Sequence, residues 1–247
     1  MALAGDHVTV VLDGQGADEQ LGGYLGYIVP YLRDLKSHPL ALIREGMGTG
    51  LHHHAFFLNA KKQIDTRKER RSLLCGDTPP INRYDGTLPE VLKREIQSTN
   101  LPSLLHYEDR NSMAFGIESR VPFLDYRVAE YLASLPMDQK IRHGVTKHVL
   151  RQAIRGLVPE NIRNRMDKMG FVTPEEVWMK EDLRPLITEI LSSDQFRKRP
   201  YWDAYQVTRN YQAYVEGRAT YSPEIWRIVC TELWLRTFFD ETYFDER

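Results

Sequence analysis

The stretch Val8 to Tyr24, VTVVLDGQGADEQLGGY, decides how the rest of the chain is read. Val8, Val10, Val11 and Leu12 form a short β-branched, apolar run, the pattern of a strand buried in a parallel sheet. The run breaks at Asp13-Gly14-Gln15-Gly16, and the next charged residues are the acidic pair Asp18-Glu19. Small residues let backbone N–H groups approach a ligand, and carboxylates just past a strand end are placed for a hard cation. Ligands of open α/β sheets sit at that end of the strands. The same residues also read as an ordinary Gly-rich turn into a helix, with Asp18 and Glu19 complementing its dipole. A short Gly-rich loop does not by itself decide between the two.

The 247 residues suffice for one large or two small domains with a sizeable core. An apolar fraction of 42% with 27% charged residues is that of an ordinary globular protein. The net charge of −1 argues against nucleic acid as a partner, because polyanion binders carry a basic excess. No apolar run approaches the ~18 residues that span a bilayer, so no membrane is expected. Cys75 and Cys230 are too few and too far apart for a disulfide framework or a thiolate metal site, which places the chain in the cytoplasm. A parallel strand needs neighbours, yet few other strand candidates follow. The chain therefore reads as the back part of something larger.

Downstream, helical patterns dominate. Short helices are expected over Tyr24 to Leu35, Pro39 to Gly50 and Leu51 to Lys61. His52, His53 and His54 stand in a row and so point in different directions on a helix, a poor ligand set. Lys61 to Arg71 reads as a solvated charged segment, and Cys75 to Gly86, with Pro79-Pro80, as a connection. The helix Leu101 to about Gly116 places Leu101, Leu104, Leu105, Glu108, Ser112 and Phe115 on one stripe. A carboxylate among leucines is paired or faces a ligand, because burying it bare is costly. For Glu108 the two readings are a ligand and an ion pair with Arg110 or Arg120. Asp109 lies to one side of the stripe and Arg110 on the opposite face. Asp125 is a good N-cap for a helix over Tyr126 to Leu135. Gln139 to Gly144 reads as extended, and Thr146 as the start of a helix whose Lys147 and Arg151 form a solvated basic edge. In Asn161 to Pro174, Arg163, Arg165 and Lys168 bracket Asp167 in an irregular loop able to close over an anion, or simply a charged surface loop. The remainder is helical and aromatic, and the helix around Ile225 to Phe239, apolar all round, is expected to be buried.

Four blocks carry a resemblance when taken in order: DGQGADEQLGGY, LPSLLHYEDRNSMAFGIESRVPFLD, GVTKHVLRQAIRGLVPENIRNRMDKMGFVTP and IWRIVCTELWLRTFF. Together they resemble the synthetase domain of glutamine-dependent asparagine synthetases, with β-lactam synthetase as a related branch. The resemblance implies an α/β fold of the adenine-nucleotide α-hydrolase type, a parallel sheet with flanking helices, this portion being mostly α-helical. It implies ATP and Mg²⁺ as cofactors, with aspartate and glutamine-derived ammonia as substrates. Aspartyl-adenylate forms with loss of pyrophosphate, and ammonia then displaces AMP. A homodimer is implied for the full enzyme.

The resemblance also assigns roles. The family's Ser-Gly-x-Gly-x-Asp-Glu loop is matched by Gly14, Gly16, Asp18 and Glu19, with Asp13 in place of the serine and Gln15 at a position many relatives fill with glutamate or tyrosine. Asp18 and Glu19 are the implied metal residues, with Asp18 holding Mg²⁺ on the pyrophosphate. Gly14, Gln15, Gly16 and Asp109 are the implied nucleotide-binding residues. Lys168, in the R-x-D-K-x-G loop, is implied to stabilise the adenylate phosphate and the tetrahedral intermediate. Glu108 and Arg110 are the other implied catalytic residues. Asp13 adds negative charge beside bound phosphates. The family's Ser-Gly-Gly-x-Asp-Ser pyrophosphate loop and its N-terminal glutaminase domain do not occur in these residues. Residues 1–247 are thus expected to be a C-terminal portion of the synthetase domain. Two alternatives stay open: a non-catalytic interaction module, or adenylation of another carboxylate as in β-lactam synthesis.

Overall fold

The structure, a computed structural model, describes residues 1–53, 73–75, 83–166 and 173–240. The chain divides into two compact units, one of Met1–Leu58 with Pro80–Lys168 and one of Asn59–Pro79 with Met169–Arg247.

The first unit is built on strand β1 (Val10–Leu12). Its partner is β2 (Glu118–Arg120), parallel, with Val10 opposite Glu118, Val11 opposite Ser119 and Leu12 opposite Arg120. Between the two strands run α1 (Ala17–Leu21), α2 (Ile28–Asp34), a helical run over residues 39–53, α3 (Leu88–Gln97) and α4 (Asn100–Met113). After β2 come α5 (Tyr126–Ser134), α6 (Met137–Lys140), the hairpin β3 (Ile141–Arg142) and β4 (Val145–Thr146), and α7 (His148–Ala153). The fold is therefore mostly helical with a small parallel sheet, as the resemblance implied in outline.

Two expectations about β1 change. Its neighbour is Glu-Ser-Arg, a segment without apolar alternation, so the periodicity that marks a half-buried strand is missing there. Nor is β1 fully buried: Val10 and Val11 are half-buried and Leu12 is 72% exposed. Among the described residues β1 is paired on one edge only.

The core of this unit joins Tyr27, Ile28 and Tyr31 at α2 to Leu88, Val91 and Leu92 of α3 and to Ile141. Thr87 starts α3 with a capping box, accepting from the Glu90 N–H while Glu90 accepts from the Thr87 N–H. Inside this core Glu95 is fully buried and held by Arg83 through two hydrogen bonds of 2.8 Å from its Nε. The expected cap on α5 is present, with the Asp125 carboxylate accepting the Arg127 N–H at 3.0 Å. The break expected between Gly50 and Leu51 is absent: residues 39–53 form one continuous helical run despite three glycines, and the rest of the second expected helix lies outside the described residues. Gly48 has a reason to be there: a Cβ on it would stand 2.5 Å from the His143 carbonyl oxygen. His143 and Gly144, φ 51° and 77°, make the two-residue left-handed turn that closes β3 on β4. The helix expected from Thr146 begins at His148 instead, because Thr146 pairs in that hairpin.

The second unit packs α8 (Glu175–Lys180), α9 (Arg184–Ser192), α10 (Asp194–Lys198), α11 (Ala204–Val215) and α12 (Pro223–Phe238). Its core is aliphatic and aromatic, including Ile187, Ile190, Val207 and Val229, with Phe196 stacked on Trp202 at 5.1 Å between ring centres. Glu232 is fully buried in α12 and satisfied by Arg199 and Arg236, each at 2.8 Å. The expectation that α12 is buried all round is corrected. Ile225, Ile228, Val229 and Leu235 are buried, but Trp234 and Phe238 are 50% and 61% exposed. The segment Lys61 to Arg71 lies outside the described residues.

Candidate functional site

Every described residue of the candidate site belongs to the first unit. The loop after β1 is shaped by its own carboxylate. Asp13 Oδ1 accepts the Gln15 N–H at 2.7 Å, a local turn that reverses the chain, while the Asp13 N–H donates to Arg120 O at 2.8 Å and extends the parallel ladder. Gly14 and Gly16 do different work. A Cβ on Gly14 would meet nothing within 4 Å, so that position is open. Gly16 sits at φ 87°, where only glycine is comfortable, and a Cβ there would stand 2.4 Å from Leu124 Cδ2. The loop is thus clamped beneath the segment that leaves β2, and the Gln20 amide reinforces the clamp by donating to Phe123 O at 2.7 Å.

Asp18 and Glu19 are adjacent in sequence and opposite in environment. Asp18 is half-buried and ion-paired, Oδ1 to Lys147 Nζ at 3.0 Å. The glycine just past the Gly22 cap of α1 makes this contact possible. Gly23 donates its N–H to Asp18 O at 2.8 Å, and a Cβ on it would stand 1.9 Å from Asp18 Oδ1 and 2.5 Å from Lys147 Cε. Lys147 itself takes a left-handed backbone, φ 55°, between β4 and α7. Glu19 is 1% exposed, and its Oε1 accepts from Tyr24 Oη at 2.9 Å and from Asn100 Nδ2 at 2.6 Å. Burial, and then the Glu19 charge, push the Tyr24 hydroxyl well above the usual tyrosine range.

Glu108 of α4 is half-buried and reaches the sheet: Ser119 Oγ donates to Glu108 Oε1 at 3.0 Å, and Ser119 is the residue opposite Val11. Neither ion pair considered from the sequence forms; Arg120 is engaged by Glu118 at 2.7 Å. Asp109 and Arg110 are exposed. The structure therefore brings Glu108 to the strand pair that carries the glycine loop, and leaves its two neighbours at the surface. Lys168 lies outside the described residues.

The profile of the asparagine synthase family matches residues 1–236. The chain belongs to the asparagine synthase family. Asparagine synthetase [glutamine-hydrolyzing] 1 of Bacillus subtilis is 28% identical over 97% of this chain and 42% of its own length. The human asparagine synthetase [glutamine-hydrolyzing] is 28% identical over 58% of this chain and 29% of its own. Amidase chry2 of Gibberella zeae is 30% identical over 53% of this chain and 22% of its own. The chain thus spans less than half the length of the curated family members it matches. No solved structure matches it.

Within this family member, Lys147, read from the sequence as part of a solvated basic edge, is instead the partner of Asp18. Its partner Asp18 is 129 residues away in sequence, and nothing in the local pattern of α7 marks it. Arg151, read as solvated, is half-buried and donates to Thr146 O at 2.8 Å and Arg163 O at 2.5 Å. Burial first, and the Arg163 charge second, lower its pKa. Arg163 is likewise committed, to Glu160 at 2.7 Å and to Arg151 O at 3.2 Å, so it does not reach out toward an anion. Of the histidine row, His53 is buried with Nε2 2.8 Å from Gly144 O and His52 is exposed, while His54 lies outside the described residues. No group of three His, Cys, Asp or Glu side chains is placed to hold a metal among the described residues.

Proposed function

We propose that this chain supplies one wall of an ATP-dependent adenylating site, in an enzyme that makes asparagine from aspartate and glutamine-derived ammonia. The observation that carries the reading is the convergence on one strand pair. The Asp13–Asp18 loop leaves β1, and Glu108 is fastened to Ser119 of β2 beside it.

The residues fit the two implied cofactors unequally. Mg²⁺ bound to nucleotide phosphates needs only one or two protein carboxylates, the phosphates and water supplying the rest. Asp18 suits that role, half-exposed at the loop end and held by Lys147. Glu19 does not, because its buried carboxylate serves Tyr24 and Asn100; we assign it to the packing of α1. When bound, Mg²⁺ offsets charge on the pyrophosphate leaving group. Gly14 is the point where backbone can approach the nucleotide, since the space above it is open. Gly16 shapes the loop rather than touching a ligand. Gln15 holds the turn through its N–H. Glu108 is suited to orient the substrate or move a proton at the strand end, and Lys168 to stabilise negative charge on the adenylate. Asp109 and Arg110, at the surface, are assigned no contact with the reacting atoms. In this reading residues 1–247 form a C-terminal portion of the synthetase domain and act with an N-terminal portion, in a dimeric cytoplasmic enzyme. No described helix is long and apolar enough to cross a membrane.

Aspartate-dependent release of pyrophosphate from Mg-ATP, by the chain supplied with the N-terminal portion of the enzyme, tests the proposal. A folded complex that releases none sinks it. A second reading is amide formation on another carboxylate, the chemistry of the β-lactam synthetases that the same sequence blocks resemble. Pyrophosphate release driven by a different carboxylic acid and not by aspartate selects that reading.

A further inference from the structure

Away from the glycine loop, the first unit holds a half-open cavity of about 490 Å³ between α1, α3, α5 and α6, within the usual range for small-molecule sites. Its walls are mostly apolar, formed by Leu92 and Ile96 of α3, Leu124, and Met137 at the start of α6. Lys93, Gln97 and Glu130 also line it but are exposed, and two polar residues on its walls are buried. Gln20, 3% exposed, uses its amide N–H on Phe123 O, which leaves its carbonyl oxygen buried with no hydrogen-bond donor. Lys140, 4% exposed, is the last residue of α6 and lines the same cavity.

Lys140 is the anomaly. Lysine is almost never fully buried unless paired, and among the described residues no carboxylate or carbonyl engages this one. Burial alone lowers its pKa, and no neighbouring charge acts on it in either direction. The other deeply buried charged residues of the first unit, Glu19, Glu45 and Glu95, all have partners. Packing does not force the ammonium inside either: the stem of Lys140 runs beside Gly22, and the flexible four-carbon chain could carry its charge to water. A buried lysine without a partner and a buried amide oxygen without a donor, set among mostly apolar walls, are the anchors expected for a ligand with an anionic head and an apolar body.

We propose that this cavity is a binding site for a small apolar carboxylate, whose head pairs with the Lys140 ammonium while its body lies against Leu92, Ile96, Leu124 and Met137. Gln20 Oε1 accepts from a neutral O–H or N–H donor on the same molecule where one is present. The site is separate from the Asp18 loop, and its occupancy does not depend on the adenylating chemistry.

The test is calorimetric titration of the full chain with octanoate and with 1-octanol, which share an apolar body and differ in the head. Octanoate is expected to bind saturably with one site, about tenfold or more tighter than octanol, since a charge-assisted hydrogen bond to a buried partner separates them. Lys140→Met is expected to remove that preference without loss of helical content. Ala129→Phe, which fills the cavity and keeps the lysine, is expected to abolish binding of both. Equal affinity of the wild-type chain for octanoate and octanol, or undiminished octanoate preference in Lys140→Met, overturns the proposal. So does octanoate binding that survives Ala129→Phe. If Lys140→Met does not fold, the wild-type comparison and Ala129→Phe still decide.

Discussion

Replacing Gly23 by alanine probes the Asp18–Lys147 pair without touching either charge. The backbone at Gly23 is not left-handed, so alanine meets no conformational objection there. The objection is spatial. The new Cβ stands 1.9 Å from Asp18 Oδ1 and 2.5 Å from Lys147 Cε, where ordinary contacts are roughly 3.5–4.0 Å. Both ends of the ion pair must therefore move by more than about 1 Å. Overpacking of this kind costs about 1–3 kcal/mol. The side chains of Lys147 and Asp18 are 26% and 25% exposed and can swing outward, which favours the lower half of that range. Loss of the partly exposed pair adds up to about 1 kcal/mol, and alanine returns about 0.4–1 kcal/mol by restricting the unfolded chain. The net expectation is a destabilisation of about 1–2 kcal/mol. Gly14→Ala is the control: nothing lies within 4 Å of its Cβ, so only the small stabilising contribution remains.

The assay must report on the first unit. All four tryptophans lie between Trp178 and Trp234, in the second unit, so tryptophan fluorescence is blind to the change. Hydrogen exchange of residues 18–23 reads it directly, since the Gly23 N–H is bonded to Asp18 O. Gly23→Ala is expected to exchange about 5- to 30-fold faster there than Gly14→Ala under globally limited opening. Equal protection in the two variants would refute the packing account of α1.

In the second unit, Glu232→Ala leaves Arg199 and Arg236 facing a hole in a buried network. It is expected to cost about 3–5 kcal/mol, read as a lower urea midpoint by tryptophan fluorescence; an unchanged midpoint contradicts the buried pairing. Asp125 provides a pH test. Hydrogen bonds from Arg127 depress its carboxyl from 3.8 to about 2, so its contribution to stability is present above pH 4 and is lost as pH falls toward 2. Asp125→Ala is therefore expected to flatten the acid limb of the stability curve of the first unit, and an unaltered limb counts against the cap. In the complete enzyme, Lys168→Ala is expected to lower turnover by about 10²–10³, the usual effect of removing one preorganised charge contact. Near-normal turnover would show that the lysine is misplaced.

The glycine loop was legible because its logic is local. A β-branched run, a break and a carboxylate pair need no distant information, and Asp125 before Tyr126 announces a cap in the same way. What lay beyond the sequence is what depends on long-range contact. The partner strand of β1 is Glu118–Arg120, whose polar residues carry no strand signal because a short strand beside an exposed edge has little apolar surface to display. Lys147 meets Asp18 only after α7 returns to α1. Glu108 was recognisable as a carboxylate needing a reason, but its actual partner, the Ser119 hydroxyl, was not distinguishable from the arginines nearby. Asp18 and Glu19 look equivalent on paper. One-residue steps along a helix turn side chains by about 100°, and that rotation sends one to Lys147 and the other into the core.

The central claim is that the loop after β1, with Asp18 at its end, forms a wall of an adenylating site. Pyrophosphate release from Mg-ATP in the presence of aspartate, by this chain supplied with the N-terminal portion of the enzyme, measures it most directly when wild type is compared with Asp18→Asn and Glu19→Gln. The account predicts release that depends on aspartate, collapses in Asp18→Asn, and in Glu19→Gln falls only as far as the stability of the first unit falls. A folded complex that releases no pyrophosphate, or releases it equally well with Asp18→Asn, contradicts it.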